Sequence, residues 1–399
     1  MNLKVALVHD FLFQFGGAEK VVEQWLIMYP KADLYTAFYF PEKFEDSPAI
    51  KLAESEGRIK TSLIQKLFNI RNSKNQRLFG QFAKHLFWLY PLMMRLVTIK
   101  DYFCVLISST DCAKQVRFKN CYKIIHYIHT PTRYLNGLVP QDNYNHLGLF
   151  QRFLLPIFAF LLKPLDLSAV NYLKKQKVIT LANSEYIQFQ VWDKYTTQSQ
   201  VLYPPVDTVK FNTIERKPEL IEDFYLSHGR ISFHKRIDMA IQACLELEKK
   251  LVISGGFGLE SDRITLQKQI DDYKTANPSK KVDIQILGRT TDAQLLELMT
   301  TCKAFLFPGK EDFGIAPIEF LAAGIPLIAL AEGGALTYVI DNKNGVFFDK
   351  PEVESLKKSI IKFEELNAQG IFDTEYIRQS AQRFSTQAFR NNIKAITKL

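Results

Sequence analysis

Short apolar runs recur along the chain, each bounded by glycine, proline or a helix-capping residue, with helically spaced apolar positions between them. In the first half the runs fall at 3–8, 34–38, 102–107, 122–127, 178–182 and 201–203. In the second half they fall at 224–229, 251–254, 284–287, 304–307, 327–329 and 345–348. They are nearly continuous rather than alternating, as expected of strands buried on both faces of a parallel sheet. Helices are predicted from Gly16-Gly17-Ala18-Glu19, over 62–70, 77–96 and 153–162, after Asn183-Ser184, from Ile237, over 292–301, 316–323, and from about Glu352 and Thr374. The pattern is α/β. Pro204-Pro205-Val206-Asp207 is a stiff interruption, because consecutive prolines fix φ and exclude helix. It divides the chain into residues 1–204 and 205–384, and a last helix begins at Phe384-Ser385.

The most informative stretch is 303–329, which reads strand, loop, helix, strand. Loop 309–314 falls at the carboxyl end of a strand, where open parallel sheets bind ligands. Phe313, Gly314 and Ile315 present backbone N–H groups at a helix N-terminus, a ready anion site. Glu311 and Glu319 flank it, and carboxylates accept hydrogen bonds from hydroxyls. A sugar–phosphate–ribose ligand suits that set. For either acid alone, an exposed loop acid or a dipole-complementing glutamate would be the ordinary explanation.

Other candidates sit at comparable turns. Gly16-Gly17 at a strand-to-helix turn permits close approach of a phosphate or sugar. No Gly-x-Gly-x-x-Gly occurs, against a nicotinamide fingerprint. Arg230 and Lys235 lie five apart across another such turn and can neutralise a diphosphate. Gly288-Arg289 ends a strand in the same half. His126 and His129 lie at a strand end in His-Tyr-Ile-His-Thr-Pro-Thr-Arg-Tyr, with no third residue spaced to complete a metal site. No Asp-x-Asp is present either.

Composition adds two points. Five cysteines without a Cys-x-x-Cys pair point to a reducing compartment, and the N-terminal residues read as a strand rather than a signal peptide. The net charge of +9 is uneven: residues 1–204 hold 25 Lys and Arg against 15 Asp and Glu. Residues 57–100 carry nine basic residues and no acid, interleaved with Phe68, Phe79, Phe82, Phe87, Trp88 and Tyr90. An anionic membrane face and nucleic acid are the two partners that fit. The apolar run 153–162 is ten residues, about half a membrane span.

Glu311-x7-Glu319, with Phe-Gly after the first acid and Ala-Ala-Gly-Ile-Pro after the second, resembles the donor signature of glycosyltransferase family 4. The other motifs follow in compatible order. The resemblance implies a GT-B fold, two Rossmann-like parallel-sheet domains facing across a cleft, with the last helix crossing back to the first. It implies a retaining, metal-independent enzyme with no cofactor. The donor nucleotide sugar would bind Gly16, Gly17, Arg230, Lys235, Arg289, Phe313, Gly314, Ile315 and Glu319. Catalysis would rest on Glu311, His129, Arg230 and Lys235. Arg236 stands where such enzymes have glycine. The His-x-Pro-x-Arg-Tyr-like string resembles O-antigen-type mannosyltransferases, which implies GDP-mannose, a lipid-linked acceptor and the inner face of the cytoplasmic membrane. No nucleic acid is then expected. A UDP-sugar donor, a sugar-nucleotide sensor, a nucleic-acid-binding or DNA-glucosylating protein and a sugar-nucleotide epimerase are the alternatives.

Overall fold

The computed structural model describes residues 4–69, 79, 86, 88–138 and 149–398. The chain separates into two compact units, Met1–Pro205 with Phe389–Leu399, and Val206–Ala388.

Unit 1 is built on a parallel sheet in the order β3-β2-β1-β5-β7-β8-β9. Its strands are β1 (Val5–His9), β2 (Asp33–Thr36), β3 (Ile59–Thr61), β5 (Cys104–Ser109), β7 (Lys123–Ile128), β8 (Ile179–Ala182) and β9 (Gln200–Val201). β4 (Thr98–Lys100) and β6 (Arg117–Lys119) pair separately. Both faces are covered, which explains the continuous apolar runs. Leu7, Leu34, Leu106 and Tyr127 pack against Trp25 and Phe389, while Ala6, Val8, Val105 and Ile107 serve the opposite cluster. Phe389 and Ile393 belong to the terminal helix Thr386–Thr397. There Arg390 donates to Gln24 at 2.6 and 2.9 Å, and the Tyr29 and Thr397 hydroxyls meet at 3.0 Å.

Unit 2 repeats the design in the order β12-β11-β10-β13-β14-β15. The strands are β10 (Phe224–His228), β11 (Lys250–Ser254), β12 (Ile284–Gly288), β13 (Ala304–Phe307), β14 (Leu327–Leu330) and β15 (Gly345–Phe348). Tyr225, Leu251, Leu306, Ile328 and Val346 form one core face, and Phe305 stacks on Phe320 beneath the other at 3.9 Å between centroids. In each unit strand order reverses once, at β1/β5 and at β10/β13, and such switch points open a crevice beyond the carboxyl ends of the strands.

Several expectations change. The predicted helix over 153–162 runs Leu149–Lys175, 27 residues, through both Pro156 and Pro164. Its stretch Leu154–Lys175 is long and apolar enough to cross a membrane by length and composition. Leu162, Asp166, Ala169, Val170 and Leu173 are buried in unit 1, however, while Phe160 is 80% and Leu161 61% exposed. The third apolar run of the first half begins as a strand at Cys104 rather than at 102, where the Tyr102 hydroxyl donates to Asp33. β3, β4, β6 and the helix Pro48–Ser55 lacked a legible apolar signal. Of the helices predicted over 62–70 and 77–96, Leu63–Leu67 and Leu89–Arg95 are formed. Residues 70–78, 80–85 and 87, with Phe82 and Phe87 of the basic–aromatic stretch, lie outside the described residues.

Candidate functional site

In unit 2 the switch point gathers the ends of β10 and β13. Pro308 and Gly309 leave β13, and Gly309 packs directly on the turn that follows β10. A Cβ on Gly309 would lie 2.7 Å from both the His234 carbonyl oxygen and Lys235 Cα. From the other side Gly333 and Gly334 press on the same loop, where Cβ atoms would fall 2.4 Å from Glu311 O and 2.2 Å from Phe313 O. The Gly334 N–H donates to Glu311 O at 2.8 Å. Phe313 is buried between the rings of Tyr338 and Phe384, with centroids at 6.1 and 5.8 Å. Glycine is required at all three contact points because the backbones touch.

The result of that packing is an ion pair between Lys235 Nζ and Glu311 Oε1, both half-buried. Lys235 also lies 5.7 Å from the centroid of the Phe307 ring. Gly314, at φ 89°, caps the helix Ile315–Ala322. A Cβ there would meet the Tyr338 hydroxyl at 2.8 Å. Pro317 has no N–H, so the helix offers its first-turn amides at Ile315 and Ala316. Glu319 is half-buried in the second turn of the same helix. Gly229 turns the chain out of β10 at φ 133°, and Gly255 lies against its carbonyl. Ile231 N then donates to Gly256 O at 2.8 Å. Arg230 and Lys235 line one pocket with His228, Phe307 and Pro308.

The turn that carries Arg236 is left-handed. The residue stands at φ 51°, ψ 38°, closing the short 3₁₀ turn Phe233–Lys235 and opening the helix Ile237–Glu246. Glycine adopts such a conformation without the steric cost an L-residue pays. The arginine therefore keeps the glycine geometry under strain. Arg289 is placed differently: it is exposed beyond β12, the edge strand two positions from β10.

In unit 1 the corresponding crevice is filled by polar side chains. Asp10 follows β1 and accepts from Thr110 N at 2.5 Å, Thr110 Oγ1 at 2.9 Å, Asp111 N at 3.0 Å and Ala113 N at 2.6 Å. Burial works to raise its pKa, but His9 and these donors prevail and hold it below the usual value. His129 is buried, and its Nε2 lies 2.8 Å from Ser108 Oγ. Burial, with His9 nearby, lowers its pKa to about 3. His126 is likewise buried, 2.6 Å from Ser109 Oγ, and burial with Lys114 lowers its pKa to about 3. The loop after His129 is anchored by Thr132, whose hydroxyl lies 3.0 Å from Asp166 and 2.5 Å from Lys114. Tyr134 donates to Asp111 at 3.0 Å.

The two glycines of the pair are placed differently. Gly17 opens the helix Gly17–Met28 and is exposed. The Gly16 amide, in contrast, is already used: it donates to Glu19 Oε2 at 3.0 Å. Sequence reasoning missed His9, Asp10, Glu19 and Ser108 altogether. For His9, Asp10 and Ser108 the signal was only a polar residue at each strand end of the switch point, visible once strand order is known; Glu19 lies in the first turn of the helix Gly17–Met28. Among the described residues no group of three His, Cys, Asp or Glu side chains could hold a metal ion.

Comparison with known proteins agrees with this architecture. The family model described as "Glycosyl transferases group 1" matches residues 211–387, which lie within unit 2. The chain is 30% identical over 201 residues to the alpha-1,3/1,6-mannosyltransferase ALG2 of Kluyveromyces lactis, covering 40% of each chain. It is 26% identical over 251 residues to the mouse (Mus musculus) protein of that name, 55% of this chain and 58% of that one. It thus spans about half the length of the curated relatives it matches. Among solved structures, Anabaena Alr3699/HepE in complex with UDP superposes with a TM-score of 0.65 at 17% identity over 100% of both chains. Sucrose-phosphate synthase from Thermosynechococcus elongatus gives 0.65 at 14%, over 99% of this chain and 98% of that one. Residues 211–387 therefore resemble group 1 glycosyl transferases, the fold is that of GT-B enzymes, and the chain resembles the mannosyltransferases among its relatives.

Proposed function

We propose that this protein is a retaining, metal-independent glycosyltransferase that moves mannose from GDP-mannose to a lipid-linked glycan acceptor. The observation that carries the reading is the unit 2 switch point, where Arg230, Lys235, Glu311 and the N-terminus of Ile315–Ala322 converge on one sheet edge. In this reading unit 2 holds the donor. Arg230, Lys235 and the amides at Gly314 and Ile315 stabilise the departing diphosphate. Glu311 holds the sugar and Glu319 the ribose hydroxyls, with Arg289 as a further donor contact. The bond from the anomeric carbon to the phosphate oxygen breaks, and the acceptor oxygen bonds that carbon on the same face. The acceptor proton passes to the leaving phosphate. No cofactor enters.

Mannose is favoured by the sequence likeness to mannosyltransferases. UDP, named with the HepE structure, makes a uridine nucleotide the second reading. Unit 1 would take the acceptor. Its long helix, with Phe160 and Leu161 exposed in a unit rich in basic residues, favours residence on the inner, anionic face of the cytoplasmic membrane. Surface-glycan assembly of the O-antigen or capsule type fits that location. The test is a thermal-shift panel of GDP-, UDP- and dTDP-sugars, followed by transfer of radiolabelled donor with Lys235→Ala and Glu311→Ala. Stabilisation by GDP-mannose and a loss of about 10²–10³ in rate are expected. Transfer within a few fold of wild type in both variants would overturn the site.

A further inference from the structure

Four side chains in unit 1 form a continuous buried line. His129 Nε2 lies 2.8 Å from Ser108 Oγ, and the same Oγ lies 3.0 Å from His9 Nδ1. His9 Nε2 lies 3.7 Å from Glu19 Oε1, and Glu19 Oε2 accepts the Gly16 amide at 3.0 Å. His9, Ser108 and Glu19 are all 5% exposed or less. His129 Nδ1 makes no hydrogen bond among the described residues and is absent from the buried unpartnered atoms. The line therefore starts at the glycine turn of the first helix and ends at the open nitrogen of His129.

A serine hydroxyl has one proton, so it can donate to only one of the two imidazoles. When His9 carries both ring protons, its Nδ1–H donates to Ser108, the hydroxyl turns to His129 Nε2, and His129 must hold its own proton on Nδ1. When His9 is neutral with its proton toward Glu19, its Nδ1 accepts from Ser108. The Ser108 oxygen then accepts from His129 Nε2–H, and His129 Nδ1 becomes an acceptor. We infer that Glu19, His9 and Ser108 are positioning residues that fix the tautomer of His129, and that loss of one proton from His9 inverts the open nitrogen of His129 from donor to acceptor. With the donor form, the nitrogen suits a sugar oxygen; that last step rests on the glycosyl-transfer reading, whereas the tautomer does not.

The groups facing this line favour the donor form. Burial opposes charge on His9, but Glu19 and Asp10 outweigh it and raise its pKa. His129 is kept neutral by burial and by His9. Its ring also meets the edge of Tyr127, with centroids at 4.9 Å, and Tyr127 stays protonated because burial raises its pKa.

The experiment is nitrogen-15 NMR of the full chain labelled at histidine, with resonances assigned by His9→Asn and His129→Asn. At neutral pH, His9 should be protonated on both nitrogens and His129 on Nδ1, the minor tautomer of free histidine. As pH rises, His129 should move its proton to Nε2 at the same midpoint at which His9 titrates. Ser108→Ala should uncouple the two, Ser108→Thr should restore coupling, and Glu19→Gln should lower the His9 midpoint by at least one pH unit. His129 protonated on Nε2 at neutral pH, or a His129 tautomer indifferent to His9 titration in the wild type, overturns the proposal. Because the readout is the ring nitrogens themselves, this result is independent of which donor, if any, the thermal-shift panel identifies.

Discussion

Lys235 and Glu311 form an ion pair with each other, across a contact that only the glycine at 309 allows. The cation proposed for the diphosphate is thus engaged by the acid proposed for the sugar. Ligand binding must exchange that pair for new ones, so the two residues cannot be independent contacts.

Glu311→Gln separates their roles. It leaves a polar side chain but releases Lys235 from its counter-charge. GDP alone should bind more tightly, by up to about fivefold, since a half-exposed pair is worth ~1 kcal/mol or less. Transfer should nevertheless fall. Calorimetric titration with GDP checks this, and weaker GDP binding would show that Glu311 does not compete for Lys235.

Gly309→Ala should damage both stability and donor binding. Its Cβ has no room against Lys235 Cα, and forcing backbone apart costs about 1–3 kcal/mol. Gly256→Ala is the matched control, since its Cβ would meet nothing within 4 Å. Urea denaturation of the two variants side by side gives the comparison; equal stabilities would contradict the packing described.

Arg236 offers a stabilising change. Arg236→Gly relieves a left-handed arginine, and Arg236→Ala loses the same Asp238 contact at 3.4 Å without relieving it. The glycine variant should exceed the alanine variant by about 1 kcal/mol, because the left-handed penalty of ~1–2 kcal/mol is partly offset by the freer unfolded glycine. Thermal denaturation reads the difference.

Asp111 predicts a pH dependence. Burial first, then the charge of Asp10, raises its pKa from 3.8 to about 7. The folded state therefore keeps a proton that the unfolded chain has released, and folding is penalised increasingly as pH rises from about 4 to about 7. Asp111→Asn retains a partner for Tyr134 and removes the penalty. Its gain in melting temperature should grow between pH 4 and pH 7 and stay level above. A gain independent of pH would mean that Asp111 is charged throughout.

The long helix of unit 1 makes the membrane proposal testable. Phe160→Glu with Leu161→Glu should abolish flotation with phosphatidylglycerol vesicles at low salt. The melting temperature should hardly move, since these side chains are 80% and 61% exposed. Undiminished flotation would place membrane binding elsewhere.

Much of this was legible in the chain itself. Buried strands such as those ending at Ser254, Phe307 and Phe348 announce themselves by apolar runs, because a strand covered on both faces tolerates little else. The strand–loop–helix carrying Glu311 and Glu319 was readable for the same reason, with Gly314 and Gly324 as its punctuation. Edge strands such as Ile59–Thr61 were not, since they are short and half-exposed. The helix Leu149–Lys175 outran its prediction because the apolar run stops at Lys163, whereas Asp166 bonds Lys114 and Tyr195 and ties the later turns into the unit.

The order of residues along the chain thus determined the α/β class, the two parallel sheets and the loops at their carboxyl ends. Local periodicity and turn chemistry are written in neighbouring residues and need no partner to be read. Which side chains meet at those ends was decided only by the fold. Lys235 finds Glu311, and His9 finds Ser108, Glu19 and His129, because sheet order brings together strand ends that are far apart in sequence. Charge pairing and burial act through space, so no spacing along the chain encodes them.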